Sequence, residues 1–338
     1  MAPCDVSTRS ILLRCRICGS GETVRRGKVE FYVGYAWPIY DCEHCGCRFT
    51  HHDSSTYDFL YSEQRSRYWL YMDHAKSCKT LFDRGDLAGL RAELSRTSKY
   101  QFIIDRIDRE PAGARILEIG CSRGHLTSFF ILGGRKIIGV DVSPTALVAA
   151  REAFGDYFVR AGDPSIAAQT PYDVIFHVGT IGCVADPVGM TKGLLGLLKP
   201  GGRLLFNAPN RDGLTLRDQL WFESAPPPDV VTLFPPAFWH DRFSDAAQID
   251  QQIEFSSPDQ NLFVLLRRLA RRKWQKPLAI PLKDSGRLAP TNPRTGHGLR
   301  LRRNFVRAAG RVVSSTGLHR LIPRHPTEYG LFVEMIKK

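Results

Sequence analysis

Two sets of residues in this 338-residue chain have the types and spacing to do chemistry. The first is the run Arg115 to Leu126, RILEIGCSRGHL, followed by KIIGVDVS, Lys136 to Ser143. Ile116, Leu117 and Ile119 make a buried strand that breaks at Gly120 into a tight turn and then a helix. Gly120 and Gly124, with the small Ser122 between them, leave little side chain to keep a ligand off the turn. The second run is another apolar strand, and it ends on Asp141. Parallel strands joined by a helix set the end of the second beside the loop after the first. A carboxylate there can accept from both hydroxyls of a ribose, which makes this a nucleoside site. The dinucleotide fingerprint needs G-x-G-x-x-G, and only Gly120 and Gly124 are present.

The second set is at the amino end. Cys15 and Cys18 form one C-x-x-C pair, and Cys42 and Cys45 form another. Gly19 and Gly46 follow the pairs and let the backbone curl toward the sulfurs. Two such knuckles with a hairpin-length insert predict a four-thiolate zinc ribbon whose closed ligand set makes the metal structural. Its loss is expected to unfold the amino end and leave the nucleoside site intact. Disulfides are the competing reading; Met1 to Arg14 is short, mixed and polar rather than a secretory leader, so a reducing cytoplasm is expected. Cys47, His44, His51 or His52 could replace one ligand. Cys4, Cys78, Cys121 and Cys183 read as ordinary thiols.

The turn, with Glu118 two residues before its first glycine, resembles motif I of the class I S-adenosylmethionine-dependent methyltransferases. Family members usually carry glycine where this chain has Ser122. The order downstream is similar too: a third strand and exit loop in Tyr157 to Asp163, a fourth strand and loop in Tyr172 to Pro187, and a helix from Val188 to Leu198. Pro200, Gly201 and Gly202 then stop that helix ahead of a fifth strand, Arg203 to Ala208. The resemblance covers Thr97 to Asn210 and implies an α/β fold: a Rossmann-like, mainly parallel sheet covered on both faces. Its last strand, Tyr329 to Ile336, would be antiparallel. It implies cofactor contacts from Glu118, Gly120, Cys121, Ser122, Gly124, Asp141, Val142, Asp163 and Gly179.

The elements that position these groups divide the chain into a zinc ribbon (1–53), a helical connector (54–96) with a break at Gly85, the core (97–256), a basic insertion (257–327) and a last core strand (328–338). No apolar run is long enough to span a membrane. The insertion holds sixteen Lys or Arg against Asp259 and Asp284, so the rest of this +13 chain is close to neutral. Two amphipathic stretches lie in it. One carries Arg267, Arg268, Arg271 and Arg272 beside Leu262 to Leu269; the other carries Arg302, Arg303 and Arg307 beside Leu301 to Val313. Such stretches suit an anionic membrane surface or a phosphate-bearing substrate, or else pack one stripe on the core with their arginines solvated.

Ribbon and core together resemble zinc-ribbon-led methyltransferases acting on sugars and other small molecules of bacterial polysaccharide and natural-product pathways. The segment Ala225 to Phe234 adds to the likeness, but Asp229 and Val230 replace the usual histidine pair, and Gly182 and Cys183 replace a Glu-His. Candidates for the general base are therefore Asp229 first, then His177 and His240. The expected activity is methyl transfer to a small anionic acceptor, a phosphate-bearing sugar or lipid-linked glycan intermediate, in the cytoplasm or peripherally at the inner membrane face. Two rival readings stand beside it: an rRNA methyltransferase, and a non-catalytic module that keeps the cofactor fold. Against the first, the second knuckle runs C-x-x-C-G-C-x-F, and NAPN at Asn207 follows the fifth strand rather than the fourth, so nucleic acid is not the expected partner. Oligomeric state is left open.

Overall fold

In the computed structural model the described residues are 14–32, 35–51, 69–214, 219–222, 224–256 and 324–338. Nearly all of the basic insertion, the first part of the connector and His52 lie outside them. Among the described residues no helix is long and apolar enough to cross a membrane.

The larger sheet has seven strands. In chain order they are β4 (Arg115–Ile119), β5 (Lys136–Asp141), β6 (Phe158–Arg160), β7 (Tyr172–His177), β8 (Leu198–Ala208), β10 (Ala247–Phe255) and β11 (Pro326–Lys337). Their spatial order is β10-β11-β8-β7-β4-β5-β6. The pairs β4–β5, β4–β7, β5–β6 and β7–β8 are parallel; β11 runs antiparallel to both β8 and β10. The expected strands are all present. The edge strand β10, paired antiparallel to β11, is not announced by the sequence, because its alternation of Gln, Asp and Glu with Ile249 and Ile253 leaves it weakly apolar. The fifth strand also starts early: β8 runs from Leu198 through the Pro-Gly-Gly stretch, with Gly201 at φ 73° and a register shift against β7.

The crossovers α4 (His125–Leu132), α5 (Pro144–Phe154), α6 (Pro164–Ala168) and α7 (Pro187–Leu197) follow β4, β5, β6 and β7. Ser143, Asp163 and Asp186 each accept a backbone N–H in the first turn of the helix they precede. In front of the sheet lie α1 (Trp69–Asp83), α2 (Leu87–Leu94) and α3 (Ser98–Ile107). Gly85, at φ 67°, makes the break between α1 and α2. Period-two alternation divides the sheet: Ile116, Val174, Phe176 and Leu205 pack with α1 to α4, whereas Leu117, Ile175, Leu204 and Phe206 pack on the opposite face. The buried Arg106 on α3 donates to Glu334 of β11 at 2.8 Å, so the helix before the first core strand is tied to the last strand.

The smaller sheet holds β1 (Thr23–Tyr32), β2 (Tyr35–Cys42), β3 (Arg48–Phe49) and β9 (Thr232–Leu233), all antiparallel and in the order β1-β2-β3-β9. Its fourth strand comes from the core. The amino-terminal ribbon is therefore closed by residues almost two hundred positions away, and it shares side-chain packing with the core as well. Phe31, Trp37 and Ile39 cluster with Trp221, Phe222, Val230 and Leu233, while Ile17 and Phe49 belong to the cluster of Phe234, Phe238 and Trp239. Each such buried side chain contributes roughly 1.5–3 kcal/mol. Ribbon and core are joined along one continuous seam.

Candidate functional site

The parallel strands end on one edge of the sheet, and the loops after β4, β5 and β7 meet there. After Ile119 the chain turns through Gly120 (φ 75°), Ser122 (φ 49°) and Gly124 (φ 75°) into α4. Gly120 N and Cys121 N both donate to Val140 O, at 2.7 and 3.0 Å. Asp141 takes the next two donors: Ser122 N reaches its Oδ2 at 2.7 Å and Ser143 N its Oδ1 at 2.8 Å. The carboxylate thus pins both loops while each oxygen keeps a lone pair for a diol. Ser122 holds a left-handed conformation that costs a non-glycine residue of the order of 1–2 kcal/mol, and the Asp141 bond accounts for its persistence. Gly124 is required by packing: a Cβ there would collide with the Phe158 ring. Val142, next to Asp141, is an apolar side chain left 58% exposed, a surface on which a base could stack.

Two further residues support the loop from beneath. The Cys121 side chain points under the loop, buried with Leu147, Phe154 and Phe158, so only its backbone faces the edge. Glu118 is buried beneath the turn and accepts from the Thr127 hydroxyl. Burial pushes its carboxyl up to about 8, and the nearby Asp141 charge adds to the rise. Asp163 accepts from Ser165 N at 2.9 Å, capping α6 at the exit of β6, and that hydrogen bond lowers its pKa.

The loop after β7 forms the facing wall. Gly179, at φ 72°, donates its N–H to Asn207 Oδ1 at 2.9 Å, and Thr180 Oγ1 donates to Ile119 O at 3.3 Å, closing the gap between the β4 and β7 loops. Gly182 O accepts from Val231 N and Thr232 N, and Cys183 Sγ donates to Asp229 O at 2.6 Å. Asp229 is therefore brought to the β7 loop, 7% exposed. Its two rivals are not brought there. His177 is fully buried, stacked on Phe206 with ring centroids 4.7 Å apart, and burial pushes its imidazole down to about 3. His240 is on the exposed face of α8 (Phe238–Phe243), whose other face buries Phe238, Trp239 and Phe243.

Sequence reading missed the groups that α3 and α4 bring to this edge. Lys99, in the first turn of α3, has no hydrogen bond or ion pair among the described residues; its Nζ lies 5.5 Å from the Tyr100 ring centroid. Burial lowers its pKa, and Cys183 of the β7 loop is near enough to act on the ammonium. A cation at a helix N-terminus opposes the helix dipole as well. Beside it Tyr100 Oη and His125 Nε2 are 2.6 Å apart, and burial pushes His125 down to about 3. The misplaced lysine was a signal in the sequence; the Tyr100–His125 pair needed the packing of α3 on α4.

At the amino end the Sγ atoms of Cys15, Cys18, Cys42 and Cys45 lie within 4.8 Å of one another. The Cys15–Cys45 and Cys18–Cys42 separations are 3.8 and 3.6 Å. A tetrahedron with Zn–S bonds of about 2.3 Å has edges of about 3.8 Å, so the four thiols fit zinc as they stand. A second observation agrees. Arg16, between the first two cysteines, has Nε and Nη1 buried without a partner among the described residues. Four thiolates around a divalent ion would carry two net negative charges, a counterpart of the kind those donors lack. Cys47 is buried next to the set, and His51 is exposed against Tyr40.

Residues 117–204 match the family model described as a methyltransferase domain. The ubiquinone biosynthesis O-methyltransferases of Xanthomonas axonopodis pv. citri and Xylella fastidiosa are 31% and 32% identical to this chain over 109 and 108 residues. Each alignment takes in 30% of this chain, and the chain spans 46% and 44% of those relatives' length. Among solved structures, the YcgJ protein from Bacillus subtilis is 13% identical, with 71% of this chain and 98% of that one covered at a TM-score of 0.41. The CcbJ methyltransferase from Streptomyces caelestis is 23% identical, covering 35% and 50% at a TM-score of 0.29.

Proposed function

We propose that this chain, whose residues 117–204 match a methyltransferase-domain model and whose sheet carries the expected order, moves the methyl group of S-adenosylmethionine to a small-molecule acceptor. The observation that carries the proposal is Asp141, whose carboxylate fixes the loops after β4 and β5 and keeps an acceptor position on each oxygen. The ribose diol would sit on Asp141, the adenine against Val142 and near Asp163, and the methionine end between Gly120 and Gly179. Lys99 would meet the methionine carboxylate, since an unpaired ammonium at this edge calls for an anion. The bound cofactor supplies an activated methyl; what the chain must do is hold the acceptor in line and exclude water.

An acceptor hydroxyl or carbon acid must also lose a proton, and Asp229, held on the β7 loop by Cys183, is the base we favour. The acceptor we favour is a phosphate-bearing sugar or lipid-linked glycan intermediate, in the cytoplasm or at the inner membrane face. Support for it is the basic insertion, which lies outside the described residues, together with the small-molecule family resemblance. The names of the curated relatives favour transfer to oxygen. Incubating the protein with methyl-labelled cofactor and fractionated cell extract tests the proposal. Label in a small polar or lipid-linked product supports it, whereas label in rRNA, or no transfer by a protein that binds cofactor, defeats it.

A further inference from the structure

The ribbon touches the transfer site through one side chain. Arg16 stands between Cys15 and Cys18, and its Nη2 donates to Val184 O at 2.8 Å and to Thr232 Oγ1 at 2.7 Å. Val184 follows Cys183 on the loop after β7, the loop that also carries Gly179 and Thr180. Thr232 opens β9, which pairs with β3 and follows Asp229 by three residues. One guanidinium therefore grips both segments of the acceptor wall from inside the metal-binding knuckle.

Its other two nitrogens, Nε and Nη1, are buried and have no partner among the described residues. A buried donor without an acceptor is costly, and an anionic metal–thiolate centre beside it removes that cost. Loss of such a centre would strip the guanidinium of that partner and free the knuckle that holds it.

We infer that Arg16 is a positioning residue, a strut through which metal occupancy at the four cysteines sets how firmly the loop after β7 is held. The inference rests on the methyltransferase reading only in calling that loop an acceptor wall; the mechanical link stands without it. The ribbon is then more than a stabilising cap, since its metal state tunes the wall that meets the substrate.

Hydrogen exchange of the full chain tests the link, because it needs neither acceptor nor turnover. In the wild type, removing zinc with a chelator should speed exchange in peptides covering 183–187 by about tenfold or more, the worth of a charge-assisted hydrogen bond. Strands 116–119 and 137–141 should be unchanged. Arg16→Met should show fast exchange at 183–187 with its zinc retained, and chelation should then add little there. Arg16→Lys, which keeps the charge and one donor, should restore much of the protection. Peptides covering 231–234 feel the ribbon by a second route, through β3, and serve as the positive control for chelation. Binding of S-adenosylhomocysteine, read separately by calorimetry, should weaken several-fold in Arg16→Met; failure of all cofactor binding in the wild type would defeat the enzyme reading and leave the exchange result standing. Wild-type protection at 183–187 in a zinc-loaded Arg16→Met overturns the inference. So does an undiminished chelation effect in that variant. Should Arg16→Met fail to fold, the wild-type chelation and Arg16→Lys arms decide: no change at 183–187 on chelation, or Lys no better protected than chelated wild type, refutes it.

Discussion

Replacing Glu118 by Gln should make this protein more stable and a poorer binder of its cofactor. The carboxyl is buried beneath the glycine turn, and burial raises its pKa from 4.5 to about 8. In the unfolded chain the same group ionises near 4.5. Between these values the unfolded state releases a proton that the folded state keeps, so wild-type stability falls as pH rises, by 1.36 kcal/mol per unit. The loss is absent below pH 4.5, amounts to about 3 kcal/mol at pH 7 and levels off near 5 kcal/mol above pH 8. Gln keeps an oxygen for the Thr127 hydroxyl and does not titrate. Urea unfolding at pH 5.5, 7 and 8.5 should therefore show a stability gap in favour of Glu118→Gln that widens with pH. The cofactor's ammonium and sulfonium reverse the balance, since they favour the ionised acid. Wild-type affinity should then climb between pH 6.5 and 8.5, and the variant's should be weaker and flat. A stability gap that does not change with pH would refute the buried, protonated acid. Equal affinities at pH 8.5 would refute its place beside the cofactor.

Asp141→Ala removes two ribose acceptors and also the anchor of Ser122 N and Ser143 N, so S-adenosylhomocysteine affinity should fall more than a hundredfold, at about 1.5–3 kcal/mol for each bond to the charged group; unchanged affinity in calorimetry would displace the nucleoside from this edge. Protein purified without added zinc should carry one zinc, lost in Cys18→Ser, and metal analysis giving none would remove the ribbon's centre. Lys99→Met should weaken S-adenosylhomocysteine about tenfold or more while leaving methylthioadenosine, which lacks the carboxylate, near wild type; equal losses for both ligands would deny the lysine that partner. Neutralising Arg267, Arg268, Arg271 and Arg272 should weaken co-sedimentation with anionic vesicles or raise the acceptor KM, more so at low salt, with cofactor affinity unmoved. No change in either assay would make the insertion a solvated surface.

Local signals carried most of what could be read from the residues alone. The turn, the strands that flank it, Asp141 and the paired cysteines are each specified within a dozen residues or fewer, and all four recur in the structure where the spacing puts them. Groups set by distant packing were illegible. Nothing near Thr232 announces that it completes a sheet begun at Thr23, because a two-residue strand has no periodicity to display. His177 ends a buried strand, a place where a base can stand; the Phe206 stack and its complete burial, which lowers its pKa, are visible only in the packing. Lys99 gave the opposite lesson. Its position at the start of a helix before the first core strand is unfavourable on its own account, a misfit between residue and place that the sequence does display.

The same reasoning bears on why a ribbon precedes this core at all. In a self-contained zinc module the residues between ligands face solvent or their own hairpin. Here Arg16 turns inward to the β7 loop, Arg48 donates to Asp41 and to the carbonyls of Gln219 and Leu220, and Arg211 of the core reaches back to Asp41 and Gly46. The buried Asp41 alone gathers Arg26, Arg48 and Arg211, which lower its pKa despite its burial. Such a group contributes stability that is full above the unfolded carboxylate range and is lost as pH falls through its lowered folded pKa. Asp41 therefore yields to acid only below the unfolded carboxylate range. His125 and His177, buried neutral, cost the core stability as pH falls from about 6.5 toward 3, so acid should disturb the core before it loosens this seam. Tryptophan emission, with Trp37 and Trp221 at the seam, would report that order of events; loss of far-ultraviolet dichroism at the same pH as the emission change would show instead that seam and sheet yield together.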